Sequence, residues 1–118
     1  MKTSLFRSLL PFLAAVLFFS CSKSSSSTNN TTTNNYPTSV DISGMAFNPS
    51  TINVKVGSTI TWTNKDNMAH TVTADDNSFN SGSMNQGDTF KYTFNAAGTF
   101  KYHCVYHSNM LASVVVTQ

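Results

Sequence analysis

A cysteine, two histidines and a methionine in this chain have the side chains needed to bind a soft metal ion. Cys104, His107 and Met110 follow one another at intervals of three residues, and His70 lies 34 residues before the cysteine. Thiolate, imidazole and thioether are the ligands of blue-copper sites, in which two histidines and a cysteine form a trigonal plane and a methionine is a weak axial ligand. The four side chains therefore predict a site for one copper ion.

Each of these residues also has a simpler interpretation. Met110 and Cys104 would suit a hydrophobic core, and His70 could cap a strand. Cys104 and His107 could be a thiol nucleophile and its base, although no third group is placed to orient the base. Zinc accepts histidine and cysteine but has little use for methionine. Copper is the interpretation that uses all four residues.

Short alternating segments surround these residues and predict strands. Apolar and polar residues alternate at 52–56, 60–63, 90–94 and 100–104, and 114–116 is an apolar run. Glycine, proline, asparagine and aspartate lie between the segments. This spacing is typical of an antiparallel sandwich or barrel, so we predict an all-β fold, a Greek-key β-sandwich. On the fourth segment Cys104 points inward and His103 faces solvent, because neighbours on a strand point to opposite faces.

Composition excludes other classes of protein. The chain has 118 residues and a formal net charge of +2, but beyond residue 20 five lysines balance five aspartates. The basic surface of a nucleic-acid-binding protein is therefore absent. The chain has no glutamate, and after residue 20 its one leucine is Leu111. Valine, isoleucine, threonine, phenylalanine and tyrosine dominate, which favours strands and excludes a helical bundle.

The chain divides into three predicted regions. Residues 1–20 resemble a lipoprotein signal peptide, with a positive start, an apolar run at 9–19 and Ser20 before Cys21. Cys21 is then the lipidated N-terminus, unless cleavage is ordinary and this cysteine is a bystander. Residues 21–37 are rich in serine, threonine and asparagine and are predicted to be a disordered tether or a featureless spacer. Residues 38–118 form the copper domain, where a disulfide is not expected because Cys104 is its one cysteine.

Four stretches of this domain resemble the cupredoxins, the type 1 blue copper proteins, and within them the amicyanin, pseudoazurin and plastocyanin group. They are Met45–Pro49, Val56–Asn64, Met68–His70 and Ala97–Cys104. The spacing Cys-x₂-His-x₂-Met is similar to the short loop of amicyanins. The resemblance implies that His70, Cys104, His107 and Met110 are the ligands of one type 1 copper ion.

The resemblance also implies a function. It predicts a monomeric electron-transfer protein rather than an enzyme. Together with the pattern at residues 1–21, it predicts a protein of the bacterial cell envelope that is exported and held by lipid, facing the periplasm or the cell surface. Redox protein partners would dock transiently around His107 on an apolar rim formed by Met45, Met68, Tyr106 and Leu111. Two other functions stay open. One is copper storage or delivery, suggested by Met45, Met68 and Met84, and the other is a metal-free adhesion sandwich.

The chain departs from its relatives at three places near the predicted site. Thr71 stands where relatives commonly have an asparagine that holds the cysteine loop by hydrogen bonds, and the Thr71 hydroxyl could do part of that work. Tyr106 stands where many have proline, so its N–H either donates a hydrogen bond to the Cys104 sulfur or points to solvent. Leu111 follows the methionine where many have glycine. These departures are expected to affect the reduction potential and the docking surface rather than copper binding.

Overall fold

The structure is a computed structural model that describes residues 35–118. Eight strands make up the described fold. They are β1 (Ser39–Ser43), β2 (Ala46–Asn48), β3 (Thr51–Lys55), β4 (Thr59–Asn64), β5 (Thr73–Ala74), β6 (Thr89–Thr93), β7 (Gly98–Cys104) and β8 (His107–Thr117). Residues 35–118 contain no helix, and so none that is long and apolar enough to cross a membrane.

The strands form two four-stranded sheets, which confirms the predicted all-β class. One sheet has the order β2-β1-β4-β6 and the other the order β3-β8-β7-β5. Trp62 of β4 and Tyr102 of β7 are fully buried, and the Trp62 indole N–H donates a hydrogen bond to the Tyr102 hydroxyl at 3.2 Å. This bond joins the two sheets through the hydrophobic core.

Alternation along the strands follows the prediction closely. Ile52 and Val54 of β3 are buried between exposed neighbours. On β7, Tyr102 and Cys104 are buried and Lys101 is exposed. The register that directs Cys104 inward is therefore confirmed.

The pairing of the strands differs from the antiparallel sandwich that was predicted. β1 pairs with β4 in parallel, and β3 pairs with β8 in parallel. The β1–β2 hairpin is followed by β3 in the opposite sheet, so the chain crosses the sandwich before β4 returns beside β1. Such a crossover allows neighbouring strands to run in the same direction, and the result is two mixed sheets.

The predicted signal peptide, its lipidated Cys21 and most of the predicted tether lie outside the described residues. Tyr36, near the end of that tether, is partly buried and packs against the hydrophobic core.

Candidate metal centre

The four predicted ligands come from three places in the fold. His70 lies between β4 and β5, where its backbone forms an isolated bridge with Met84. Cys104 ends β7, His107 begins β8, and Met110 lies further along β8. His70, Cys104 and Met110 are at most 2% exposed, whereas His107 is half-buried.

The three strongest predicted ligands converge on one point. Cys104 Sγ lies 3.7 Å from His70 Nδ1 and 3.6 Å from His107 Nδ1, and all three ligand atoms lie within 4.8 Å of one another. A trigonal plane with metal–ligand distances of about 2.0–2.3 Å places its ligand atoms about 3.5–4 Å apart. Both sulfur–nitrogen separations therefore fit a metal ion at the centre of the plane.

The connection between β7 and β8 explains how Met110 comes to be buried in the same core cluster as Cys104. Cys104 pairs with His107 across a two-residue turn. The next pair along the two strands, away from the turn, is His103 with Leu111. The register shift leaves residues 108–110 of β8 without partners on β7. This bulge turns Met110 into the core cluster that contains Cys104, while Leu111 stays exposed.

A thiolate, two imidazoles and a thioether are a donor set that suits copper. The family described as "Copper binding proteins, plastocyanin/azurin family" matches residues 34–117. The chain belongs to this family of cupredoxins. Copper is accordingly its cofactor, and His70, Cys104, His107 and Met110 are positioned as a type 1 copper site.

Individual relatives support membership of the same family. Amicyanin from Paracoccus denitrificans is 35% identical over 82 residues, an alignment that covers 65% of this chain and 63% of that protein, which is less than two thirds of its length. Amicyanin-alpha from Methylorubrum extorquens is 34% identical and aligns over 67% of this chain and 71% of its own. The Cu(I) form of an amicyanin variant superposes with a TM-score of 0.63 at 36% identity, covering 67% of this chain and 80% of that one.

Thr71 links the two loops of the copper site. Its backbone N–H donates to Cys104 Sγ at 3.3 Å, and its hydroxyl accepts a hydrogen bond from the Val105 N–H at 2.9 Å. The hydroxyl thus holds the cysteine loop, as predicted. The Thr73 hydroxyl donates to Thr71 Oγ1 at 3.0 Å and holds it in turn.

The backbone donor to the Cys104 sulfur is not Tyr106, the residue considered for this role in the sequence. Of the two interpretations of Tyr106, the structure favours the one without a bond to sulfur. The backbone amide found to donate to Cys104 Sγ within residues 35–118 is that of Thr71. The Tyr106 side chain is 53% exposed, so this residue contributes to the surface beside the site.

A carboxylate lies behind the buried histidine, and sequence reasoning missed it. Asp66 Oδ2 lies 3.0 Å from His70 Nε2, on the far side of the ring from the sulfur. Hydrogen bonds, above all from the Met45 backbone N–H, lower the pKa of Asp66, so its carboxylate is charged at neutral pH. The available signal was an acidic residue four positions before a predicted ligand.

His103 lies beside Cys104 in the chain but outside the copper site. Its Nδ1 lies 2.6 Å from Asp75 Oδ1, and its backbone pairs with Leu111 and Thr73. The group of potential ligands found among residues 35–118 holds His70, Cys104 and His107 without it.

We expect His103→Ala to keep the copper stoichiometry and the visible spectrum, because the His103 ring contacts Asp75 and is not one of the proposed ligands. Copper content and absorption after Cu(II) addition check this, with His107→Ala as the matched variant that should lose both. A His103→Ala protein that binds markedly less copper would contradict the observed strand register.

Proposed function

We propose that this cupredoxin is a one-electron carrier that binds a single type 1 copper ion through His70, Cys104, His107 and Met110. The observation that supports this most strongly is the position of Cys104 Sγ, which lies within 3.7 Å of two imidazole nitrogens in a buried site. Amicyanin structures similar to this chain include oxidised, reduced and Cu(I) forms. We infer that this chain supports both oxidation states as well.

Bound copper would supply a one-electron Cu(II)/Cu(I) couple. The residues of the chain supply a frame that changes little between the two states. Thr71 fixes the sulfur and the cysteine loop, while Asp66 fixes the ring of His70. Burial of His70, Cys104 and Met110 excludes water from the ligands. A frame with little freedom to rearrange favours fast electron transfer over catalysis on a substrate.

His107 gives this buried site its contact with the surface. It is the half-buried member of the ligand set. All four predicted rim residues are exposed apolar side chains: Met45, Met68, Tyr106 and Leu111. Val105, next to Cys104 in the chain, is exposed as well. We propose that redox protein partners dock transiently on this rim, since small apolar contacts permit rapid release. The chain would act as a monomer between such partners.

Copper storage or delivery is the alternative for the same ligands, and burial argues against it. Release of an ion to a receiving protein favours an accessible site, whereas three of the four proposed ligands are at most 2% exposed. Met84, one of the methionines that suggested delivery, is itself 3% exposed. The electron carrier is therefore the function that the geometry supports best.

Titration of the full-length apoprotein with Cu(II) tests the proposal. One equivalent should produce an intense blue band and an electron paramagnetic resonance spectrum with narrow copper hyperfine splitting, because the thiolate binds the ion in a trigonal plane. A colourless complex, or one with wide hyperfine splitting, would reject a type 1 site. Measurement of the reduction potential then shows whether the bound ion cycles between Cu(II) and Cu(I).

We also propose that the protein is exported and held at the membrane through lipid on Cys21, with residues 21–37 as a tether for the copper domain 38–118. The support is the sequence pattern at residues 1–21, an apolar run that ends at Ser20-Cys21. The protein would then face the periplasm or the cell surface of a bacterium.

Cys21→Ala should move the protein from the membrane fraction to the soluble fraction without changing its blue absorption, because Cys21 is not among the proposed copper ligands. Cell fractionation followed by immunoblotting measures the change, and Ser22→Ala is the control that keeps the cysteine. Equal membrane association of the Cys21→Ala and wild-type proteins would remove the lipoprotein proposal.

A further inference from the structure

The carboxylate of Asp66 receives three hydrogen bonds, one of them from a proposed copper ligand. Oδ1 accepts from the Gly44 N–H at 2.7 Å, and Oδ2 accepts from the Met45 N–H at 3.0 Å. Oδ2 also lies 3.0 Å from His70 Nε2. The side chain of His70 is fully buried and that of Asp66 is 18% exposed, so water competes little for this contact.

The two nitrogens of His70 have different roles in this arrangement. Nδ1 faces Cys104 Sγ at 3.7 Å, so its lone pair is the one available to a metal ion. The ring proton then resides on Nε2 and is donated to Asp66. A carboxylate behind a metal-bound histidine fixes the tautomer and ring orientation and makes the imidazole a stronger donor.

Asp66 is itself held in place by its neighbours. Its backbone N–H donates to Asn64 Oδ1 at 3.0 Å, and the Asn64 side-chain amide donates to the carbonyls of Met68 and Met84 at 2.8 Å each. Asn64 is fully buried. The carboxylate is therefore supported from β4, from the loop that carries His70 and from the turn between β1 and β2.

We propose that Asp66 is a positioning residue that lowers the reduction potential of the copper site through His70. This inference rests on the copper ligation proposed above. A stronger imidazole donor stabilises Cu(II) more than Cu(I), because the more highly charged ion gains more from donated electron density. The negative charge of the carboxylate acts in the same direction.

The test is Asp66→Asn in the full-length, copper-loaded protein. The amide has nearly the size of the carboxylate, and with its oxygen in the place of Oδ2 it still accepts the Nε2 proton. Its NH2 group then faces the Gly44 N–H, so that bond is lost together with the charge while the bond to His70 is kept. Loss of a partner behind a metal ligand typically weakens metal binding by about 10–100-fold. We expect Cu(II) affinity to fall about tenfold relative to Cu(I), and for one electron that ratio equals a rise of about 59 mV in potential. The blue band should remain.

Asp75→Asn is the matched control. It removes one carboxylate that contacts His103 at 2.6 Å rather than a proposed ligand. The potential of this variant should shift by less than half as much as that of Asp66→Asn. Equal shifts in the two variants would mean that only long-range charge matters and would overturn the proposal, as would an unchanged potential in Asp66→Asn.

A second measurement uses the wild-type protein and does not depend on how any variant folds. Nuclear magnetic resonance of the diamagnetic Cu(I) protein should show a His70 Nε2 proton that exchanges slowly with water, since a buried acceptor holds it. A rapidly exchanging or absent Nε2 proton would overturn the inference about Asp66 and leave the copper proposal intact. A wild-type protein without the blue Cu(II) spectrum would reject the copper proposal and this inference with it.

Discussion

Cys104→Ser should abolish the blue colour of the copper-loaded protein. The band arises from charge transfer between a cysteine thiolate and copper, and Cys104 is the one cysteine that lies with two imidazole nitrogens in the described fold. The serine hydroxyl is not ionised at neutral pH and is a hard donor, so it does not replace a thiolate as a ligand for Cu(I). We expect Cu(I) affinity to fall by more than about 100-fold, beyond the usual range for loss of a partner behind a ligand.

The apoprotein should survive this substitution. Serine is close to cysteine in size, and the Thr71 N–H that donates to Sγ at 3.3 Å can donate to the serine oxygen. We expect a cost of about 1 kcal/mol, which lowers the melting temperature of a domain of this size by about 4–8 °C. Absorption, a Cu(I) competition assay and thermal unfolding of the apoprotein measure the three effects. A folded Cys104→Ser protein that stayed blue would reject Cys104 as the ligand.

Much of the fold could be predicted from alternation, but the partners of the strands could not. Ile52 and Val54 identify β3, and Ile60 and Trp62 identify β4, because a period of two reports which face of a strand is buried. The same pattern does not report which strand lies alongside. The parallel pairing of β3 with β8 and of β1 with β4 depends on the crossover between sheets. Strand β1 was missed although Val40 and Ile42 alternate there.

The same holds for the site. Its ligands could be predicted from residue types, whereas contacts that depend on the path of the backbone could not. The ligands were predictable because cysteine, histidine and methionine at short intervals are chemically specific. Thr71 was recognised by its position next to His70, and its hydroxyl contact with the Val105 N–H confirms that interpretation. Asp66 was missed, because its contact with His70 depends on the path of the loop between them. Hydrogen bonds from the Gly44–Met45 turn, which lies 21–22 residues earlier in the chain, orient that carboxylate.

The second large effect is expected on the reduction potential when the proposed axial ligand, Met110, is replaced. Met110→Leu should leave copper bound and the protein blue while it raises the reduction potential. Met110 is buried at 2% exposure in the cluster that contains Cys104, and the axial ligand is one of the groups that tune the potential of such sites. The thioether stabilises Cu(II) weakly, so its loss favours Cu(I). We expect the ratio of Cu(II) to Cu(I) affinity to fall at least tenfold, which for one electron is a rise of about 59 mV or more.

Met84→Leu separates this effect from a change in packing. Met84 is also buried, at 3% exposure, and its backbone exchanges two hydrogen bonds with His70 that a leucine would keep. Exchange of methionine and leucine in a core usually costs less than about 1.5 kcal/mol, so both variants should fold with similar stability. Voltammetry of the two proteins under the same conditions then isolates the contribution of the thioether. If Met84→Leu raises the potential as much as Met110→Leu, the shift comes from core packing and Met110 is not the axial ligand.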